Sequence, residues 1–300
     1  MTNILNSFHT PVLLKETLDL LNLKSGEVVF EGTGGLGGYT EQIAKRLGPC
    51  GKLIVTELDR QLAEHIRERL RHFECQVFVI EKNFREIKSI LLELKINKLD
   101  VIILDLGLSS YHIEHAGRGF SVHKSEPLLM TFSETETHVG STANEIVNHW
   151  SEQSLRDIFI GFGGEKRANK IAKAIIFARH SGPIESSSQL AKIVESVISR
   201  KGRLHPATKV FQAIRMAAND EFGALKQILS DGWRMLGSDG RVAVITFHEV
   251  EDRLVKQFFA GMIAVRSAKL VNKKPIVAKR AEVKENIRSR SAKLRVIIKV

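Results

Sequence analysis

The sequence predicts an α/β fold: a parallel sheet of βαβ units, interrupted by a helical insert. Three observations lead there. Short apolar runs alternate with helical ones through the first third of the 300 residues, the rhythm of right-handed crossovers and a parallel sheet. The rhythm stops after Ser110, and from Tyr111 to about Lys209 only helical periodicity appears. It then returns with an apolar strand, Arg241 to Phe247, and two further candidate strands that close the chain.

In order along the chain, Glu27 to Glu31 reads as a buried strand running into glycines, and Tyr39 to Leu47 as a helix. Lys52 to Thr56 is a second strand ending at Glu57. An amphipathic helix, Leu62 to Phe73, leads to a third strand, Gln76 to Ile80. A helix over Ile87 to Leu94 precedes a fourth strand, Asp100 to Leu104. In the insert, Ile171, Ala174, Ile175 and Ala178 mark one helix, and Leu190, Ile193, Val194, Val197 and Ile198 another. Pro183 and the serines 186–188 separate them, serine being suited to cap the second. Phe211 to Leu236 reads as helix, Asp239-Gly240 as a turn, and Met262 to Leu270 and Lys293 to Val300 as the closing strands. The expected organisation is a sheet domain in two parts, 1–110 and 211–300, around a helical insert, 111–210.

Composition excludes several classes. Two cysteines, Cys50 and Cys75, stand too far apart for a CxxC pair, which argues against a disulfide scaffold or cysteine metal site and fits a reducing cytoplasm. No basic start followed by an apolar run marks a signal peptide, and no run approaches the ~20 apolar residues of a membrane span. A soluble, cytoplasmic protein is expected, without metal and without membrane contact. The net charge of +11 is concentrated: residues 266–300 hold twelve Lys/Arg against Glu282 and Glu285. Such a segment suggests a polyanionic partner, most simply nucleic acid.

The glycine-rich run Glu31-Gly32-Thr33-Gly34-Gly35-Leu36-Gly37-Gly38 stands where the first strand hands over to the first helix. Glycines there permit positive φ and close ligand approach, and the following helix N-terminus favours an anionic group. Glu57, 19 positions after Gly38, ends the second strand, where its carboxylate can accept from both ribose hydroxyls of an adenosine. Together these argue for a nucleoside-containing cofactor. Gly32 to Gly37 formally matches G-x-G-x-x-G, so a nicotinamide dinucleotide is the rival. Glu31 counts against it, because an acid before the loop repels a pyrophosphate yet suits the ammonium of an amino-acid cofactor. Asp105, at the end of the fourth strand on the same sheet edge, is positioned to meet cofactor and substrate.

In its ordered motifs the chain resembles the bacterial 16S ribosomal RNA N4-cytosine methyltransferase H family over nearly its whole length. The motifs are His9-Thr10-Pro11-Val12-Leu13-Leu14, the glycine run, Asp105 to Ser110, Arg118-Gly119-Phe120-Ser121, Gly164-Glu165-Lys166, His205 to Arg215, Asn219-Asp220-Glu221, Phe247-His248 with Glu251-Asp252-Arg253, and Arg288 to Arg295. The resemblance implies a class I methyltransferase (Rossmann-like) sheet with an inserted helical substrate-binding domain. It implies S-adenosyl-L-methionine as cofactor and a cytosine in the decoding region of 16S rRNA, within the small ribosomal subunit, as substrate. Carried over by position, cofactor contacts fall on Gly34, Gly35, Gly37, Gly38, Tyr39, Glu57, Phe84, Asp105 and His112. A homodimer is left open.

Some positions depart from the family pattern. Tyr39 stands for the usual His, and Glu31 and Glu57 for Asp. Ser109-Ser110-Tyr111-His112-Ile113-Glu114 replaces Ser-Ser-Pro-Gln-Leu-Asp, and Glu249-Val250 replaces Ser-Leu after His248. Leu128-Leu129-Met130-Thr131-Phe132 replaces Leu-Asp-Met-Arg-Met, losing an acid and an arginine. In the catalytic reading, Asp105 accepts an amino proton of the cytosine, Ser109 and Ser110 orient the base, and His248 contacts it. The base must leave its stack to reach the sheet edge. Arg118, Lys166, Arg167, Lys170, Lys209 and the basic C-terminal stretch would hold RNA phosphates. The alternative is a catalytically weakened or substrate-shifted RNA-binding assembly factor on the same fold.

Overall fold

Strands that are apolar on both faces need helices on both sides, and the computed structural model provides them. It describes residues 11–134, 138, 140–199 and 204–300, so His9 and Thr10 of the N-terminal motif lie outside the described residues. The chain divides into two compact units, one of residues 1–107 with 223–300, the other of residues 108–222.

The first unit is built on an eight-stranded sheet: β1 (Val28–Glu31), β2 (Lys52–Thr56), β3 (Gln76–Ile80), β4 (Leu99–Asp105), β5 (Leu236–Thr246), β6 (Ala268–Leu270), β7 (Ile276–Val277) and β8 (Lys293–Lys299). Its order is β3-β2-β1-β4-β5-β8-β6, with β7 paired to β8. The first five strands of this path are parallel, and β8 runs antiparallel between β5 and β6. Alternation at period 2 sends Val29, Leu53, Val55, Val101, Ile103, Ala243 and Ile245 to one core and Phe30, Ile54, Ile102, Leu104, Val242 and Val244 to the other. On the first face lie α1 (Leu14–Leu21), α2 (Gly38–Leu47) and α3 (Arg60–Arg69), through Leu18, Leu21, Ile43, Leu47 and Ile66. The second face is covered by α4 (Ile87–Glu93), and later by α11 (Glu221–Met235) and α12 (Glu249–Ala264). Burying Leu225, Ile228, Leu229 and Phe259 on this face contributes roughly 1.5–3 kcal/mol per side chain.

The second unit is helical: α5 (Ser110–Glu114), α6 (Ala143–His149), α7 (Glu152–Gly161), α8 (Ala168–His180), α9 (Ser187–Val197) and α10 (Thr208–Ala218). Its own core gathers Leu155, Phe159, Ile171, Ile175, Leu190, Val194, Val210 and Ile214. Ser186 caps α9 as its sequence suggests, accepting from Gln189 N–H while the Gln189 side chain returns the bond. This unit extends past residue 210, because α10 buries Val210, Phe211, Ala213 and Ile214 in the helical core.

Three elements differ from the sequence reading. The run 211–236 is two helices, broken where Asn219 ends α10 and Asp220 takes φ 42°. Met262 to Ala264 belong to α12, so the expected strand over 262–270 shrinks to Ala268–Leu270. Strand β5 begins at Leu236, with Asp239 at φ 59° and a register shift against β4 before Arg241.

Candidate active site

The turn 32–37 carries the chain from β1 to α2, and the ends of the neighbouring strands hold it in place. Gly32 N–H donates to Ile103 O of β4 at 3.0 Å and Gly34 N–H to Thr56 O of β2 at 3.1 Å. Gly35 N–H donates to Glu57 Oε2 at 2.7 Å, and Asp105 N–H to Thr33 Oγ1 at 2.7 Å. Two glycines sit in tight packing, where a side chain would make a neighbour shift: a Cβ on Gly34 would lie 2.6 Å from Ile66 Cδ1, and one on Gly32 2.4 Å from Leu104 Cδ2. Gly35 and Gly37 instead need positive φ, 53° and 77°. Gly37 then stands as N-cap of α2 with no side chain capping the helix, so the first-turn N–H groups from Gly38 onward can meet an anionic group.

Three carboxyls converge on this edge of the sheet. Glu31, at the end of β1, is 2% exposed, and its Oε2 has no hydrogen-bond partner among the described residues. Burial pushes it well above the ordinary carboxylate range, the Thr40 hydroxyl opposes the rise, and Asp105 and Glu57 add to it. Glu57 is pushed up to about 7 by burial, although Asp59 and Gly35 N–H groups bond its two oxygens. Asp105 is pushed up to about 8, chiefly by burial and further by Glu251, and its Oδ1 has no partner among the described residues. A cationic guest favours the ionised form of acids buried this way and is stabilised by it.

Phe84, half-buried after β3, presses its Cβ to 3.1 Å from where Gly32 would carry one, so its ring flanks the turn. Tyr39 is committed to the fold: its buried hydroxyl donates to Val12 O and lies 3.1 Å from Thr17 Oγ1. His248 is the N-cap of α12. Its Nδ1 accepts from Glu251 N–H at 3.3 Å, its Nε2 lies 2.8 Å from Glu251 Oε1, and Glu251 Oε2 accepts from Phe247 N–H at 2.9 Å.

In the helical unit, Ser109 is the N-cap of α5. Its hydroxyl accepts from His112 N–H at 3.4 Å and lies 3.1 Å from His112 Nδ1. Ser110 and His112 are buried. The His112 ring packs among Tyr111, Phe120 and Phe132, with centroids 5.3–5.9 Å apart. Burial, reinforced by Arg118 and Arg215, lowers it to about 3, so it is a neutral imidazole. The departure at 128–132 is absorbed locally. Thr131 is fully buried with its hydroxyl donating to Ser133 O, Phe132 stacks on Phe120, and Asn219 ties Met130 O and Phe132 N–H.

The expected RNA-binding cations divide. Arg118 donates to Phe132 O and Ser133 O, and Lys209 to Gly164 O, so both tie loops. Lys166, Arg167 and Lys170 are exposed. In the C-terminal stretch, Lys293 and Arg295 bind Asp252 and Lys299 reaches two carbonyls, whereas Lys273, Lys274, Lys279, Arg280, Lys284 and Arg290 are exposed. Glu251 and Thr33 escaped the sequence reading as site residues. Glu251 had a signal, standing three residues after His248 in capping-box spacing. Among the described residues no group of three or more His, Cys, Asp or Glu is arranged to hold a metal, and no helix is long and apolar enough to cross a membrane.

This sheet order, its antiparallel β8 and the glycine turn set against strand-end acids define a class I S-adenosylmethionine-dependent methyltransferase. The chain belongs to the MraW methylase family, whose model matches residues 6–300. It is 40% identical over 309 residues to a Ribosomal RNA small subunit methyltransferase H of Clostridium botulinum, covering 97% of this chain and 99% of the relative. Proteins of the same name from Dictyoglomus thermophilum, 40% identical over 293 residues, and Symbiobacterium thermophilum, 37% over 310, each cover 97% of this chain and 96% of the relative.

Proposed function

We propose that this chain methylates the N4 amino group of a cytosine in the decoding region of 16S rRNA in the cytoplasm, acting on the small ribosomal subunit. The observation that carries the reading is the convergence of Glu31, Glu57 and Asp105, three buried carboxyls with raised proton affinity, on a glycine turn that ends in an uncapped helix. S-adenosylmethionine fits that chemistry, with a sulfonium and an ammonium for the acids and one carboxylate for the helix N-terminus. A dinucleotide fits less well, because its pyrophosphate is anionic and gains nothing from acids that a cation would ionise.

When bound, S-adenosylmethionine supplies an electrophilic methyl group on sulfur. In this reading Gly34, Gly35, Gly37, Gly38 and the Tyr39 N–H shape the amino-acid end of its site. Glu57 accepts from the ribose hydroxyls with the lone pairs its two backbone bonds leave over, and Phe84 flanks the adenosine. The N4 nitrogen of cytosine is a weak nucleophile because its lone pair is delocalised into the ring. Asp105 Oδ1 would therefore accept an amino proton as the methyl passes from sulfur to N4 and the thioether S-adenosylhomocysteine is left, and it must be ionised when the base arrives. His248 and Glu251 fix the start of α12, and Ser109 fixes the start of α5, so these residues position rather than react. Ser110 and His112 belong to the same α5 turn. The helical unit and the exposed C-terminal lysines and arginines hold the RNA.

The test incubates the protein with methyl-labelled S-adenosylmethionine and small subunits lacking the modification, and then maps the labelled nucleoside. N4-methylcytidine at one decoding-region position is the expected result. No label beside an active control enzyme, with cofactor binding intact, would favour the assembly-factor alternative.

A further inference from the structure

We propose that the outer face of α8 is a stacking platform for an unpaired RNA base, with Phe177 as the aromatic surface and Lys170 and Lys173 as its phosphate contacts. The inference rests on an RNA substrate and goes further in assigning this helix face to a single-stranded segment. Helix α8 buries Ala168, Ile171, Ala172 and Ile175 in the helical core. At 3.6 residues per turn Phe177 then falls opposite that buried stripe, with Lys170 and Lys173 within roughly 40° on either side of it. Lys166, just before the helix, continues the row at spacings of four, three and four residues. The ring is 76% exposed, although the last turn is fixed: Arg179 donates to Val147 O at 3.1 Å and Trp150 O at 2.8 Å.

Charge selects the partner. Residues 166–180 carry Lys166, Arg167, Lys170, Lys173, Arg179 and His180 and no acid. Among the described residues neither Lys170 nor Lys173 is in an ion pair, and both are exposed. An apolar protein partner would have to desolvate this row of ammonium groups without compensation. A single-stranded polynucleotide needs no such sacrifice, since its phosphates meet the lysines and any base offers a π-face to the ring. A duplex hides its base faces in the stack, so the platform discriminates for unpaired nucleotides.

The test measures binding of the full-length protein to a short fluorescent single-stranded RNA and to the matching RNA duplex, over a series of salt concentrations. Phe177→Ala is expected to weaken single-strand binding roughly 5- to 150-fold, the range of one base–aromatic stack, with a much smaller effect on the duplex. Phe177→Trp should keep binding, with its emission quenched by RNA, and Phe177→Leu should lose it. Lys170→Gln and Lys173→Gln should each lower the salt slope by about 0.7. The proposal is overturned if the wild type does not bind the single strand, if Phe177→Ala binds within twofold of wild type, or if Phe177→Leu substitutes for Trp. Sedimentation showing that Phe177→Ala dissociates a dimer while RNA binding stays unchanged would overturn it in favour of self-association. Methyl transfer to unmodified small subunits is measured on the wild type in parallel. A wild type that transfers no methyl while the Phe177 series behaves as expected refutes the proposed activity and leaves the platform standing.

Discussion

Cofactor affinity should depend steeply on pH, because the acids that receive the cation hold protons when the ligand is absent. Asp105 titrates near 8 and Glu57 near 7, both raised by burial, and Glu31 lies well above the ordinary range. A sulfonium or ammonium gains full attraction only from the ionised forms, so binding must release protons. With Asp105 alone releasing one proton, affinity rises nearly tenfold per pH unit below 8, or on the order of a hundredfold between pH 5.5 and 7.5. Glu57 adds to the slope below 7. Within this range the ammonium of the ligand stays charged, so the dependence belongs to the protein. Isothermal titration calorimetry with S-adenosylmethionine, run in buffers of different ionisation enthalpy, reads affinity and proton release together. The apparent enthalpy should change with the buffer by about one proton equivalent, and Asp105→Asn should remove most of that change. An affinity flat from pH 5.5 to 7.5, with enthalpy independent of buffer, would refute the argument that these acids are neutral before the ligand arrives.

The same groups set the stability of the ligand-free protein. Because the Asp105 and Glu57 pKa values are raised on folding, the folded state binds more protons than the unfolded one, and stability should fall as pH rises from about 4 to about 8. Melting curves with and without S-adenosylmethionine check this, the ligand flattening the fall. Asp105→Asn should abolish methyl transfer yet raise stability at pH 8 by at least about 1 kcal/mol, since it removes a charge that burial disfavours. His248→Ala should cost about 1 kcal/mol through loss of the α12 cap, whereas His248→Asn, which can also cap, should recover both stability and transfer; transfer lost in both would make His248 a base contact instead. Gly34→Ala forces a methyl against Ile66 and Val55 and should cost about 1–3 kcal/mol while weakening cofactor binding, as read by chemical denaturation and titration. Restoring the usual family residue with Thr131→Arg should destabilise the protein by about 3 kcal/mol or more in denaturant melts, because that site is fully buried and the Thr131 hydroxyl meets a carbonyl, Ser133 O.

What was legible in the sequence follows from how local its cause is. Strands β1 to β4 and the glycine turn are written in contiguous residues, so apolar runs and the Gly-to-Glu57 spacing were sufficient. The order in which strands lie side by side is not local. That β4 pairs with β1 and β5, bringing Asp105 to the turn through Thr33, needed the sheet itself. The closing strand over 262–270 was misjudged because Met262, Ile263 and Val265 are β-branched or apolar, while the packing of Val255 and Phe259 extends α12 to Ala264. Side-chain roles were least legible. The Tyr39 hydroxyl bonds Val12 O, and Ser109 Oγ and His248 Nδ1 accept from N–H groups of their own helix starts, bonds that residue type does not announce.

The departures from the family pattern gain a physical order from this geometry. Glu31 and Glu57 keep the acid where Asp is usual, and the extra methylene is accommodated because Glu57 reaches both Gly35 and Asp59 N–H groups from β2. Tyr39 has exchanged a titratable imidazole for a phenol that ties α2 to Val12 and Thr17 and cannot change charge near neutrality; burial pushes it well above its ordinary range. At 128–132 Thr131 bonds its own turn, and Phe132 stacks on Phe120 beside His112. Asp105, an acid at position 57 and the glycine turn all remain, and these favour a working methyltransferase over a scaffold that has lost its chemistry.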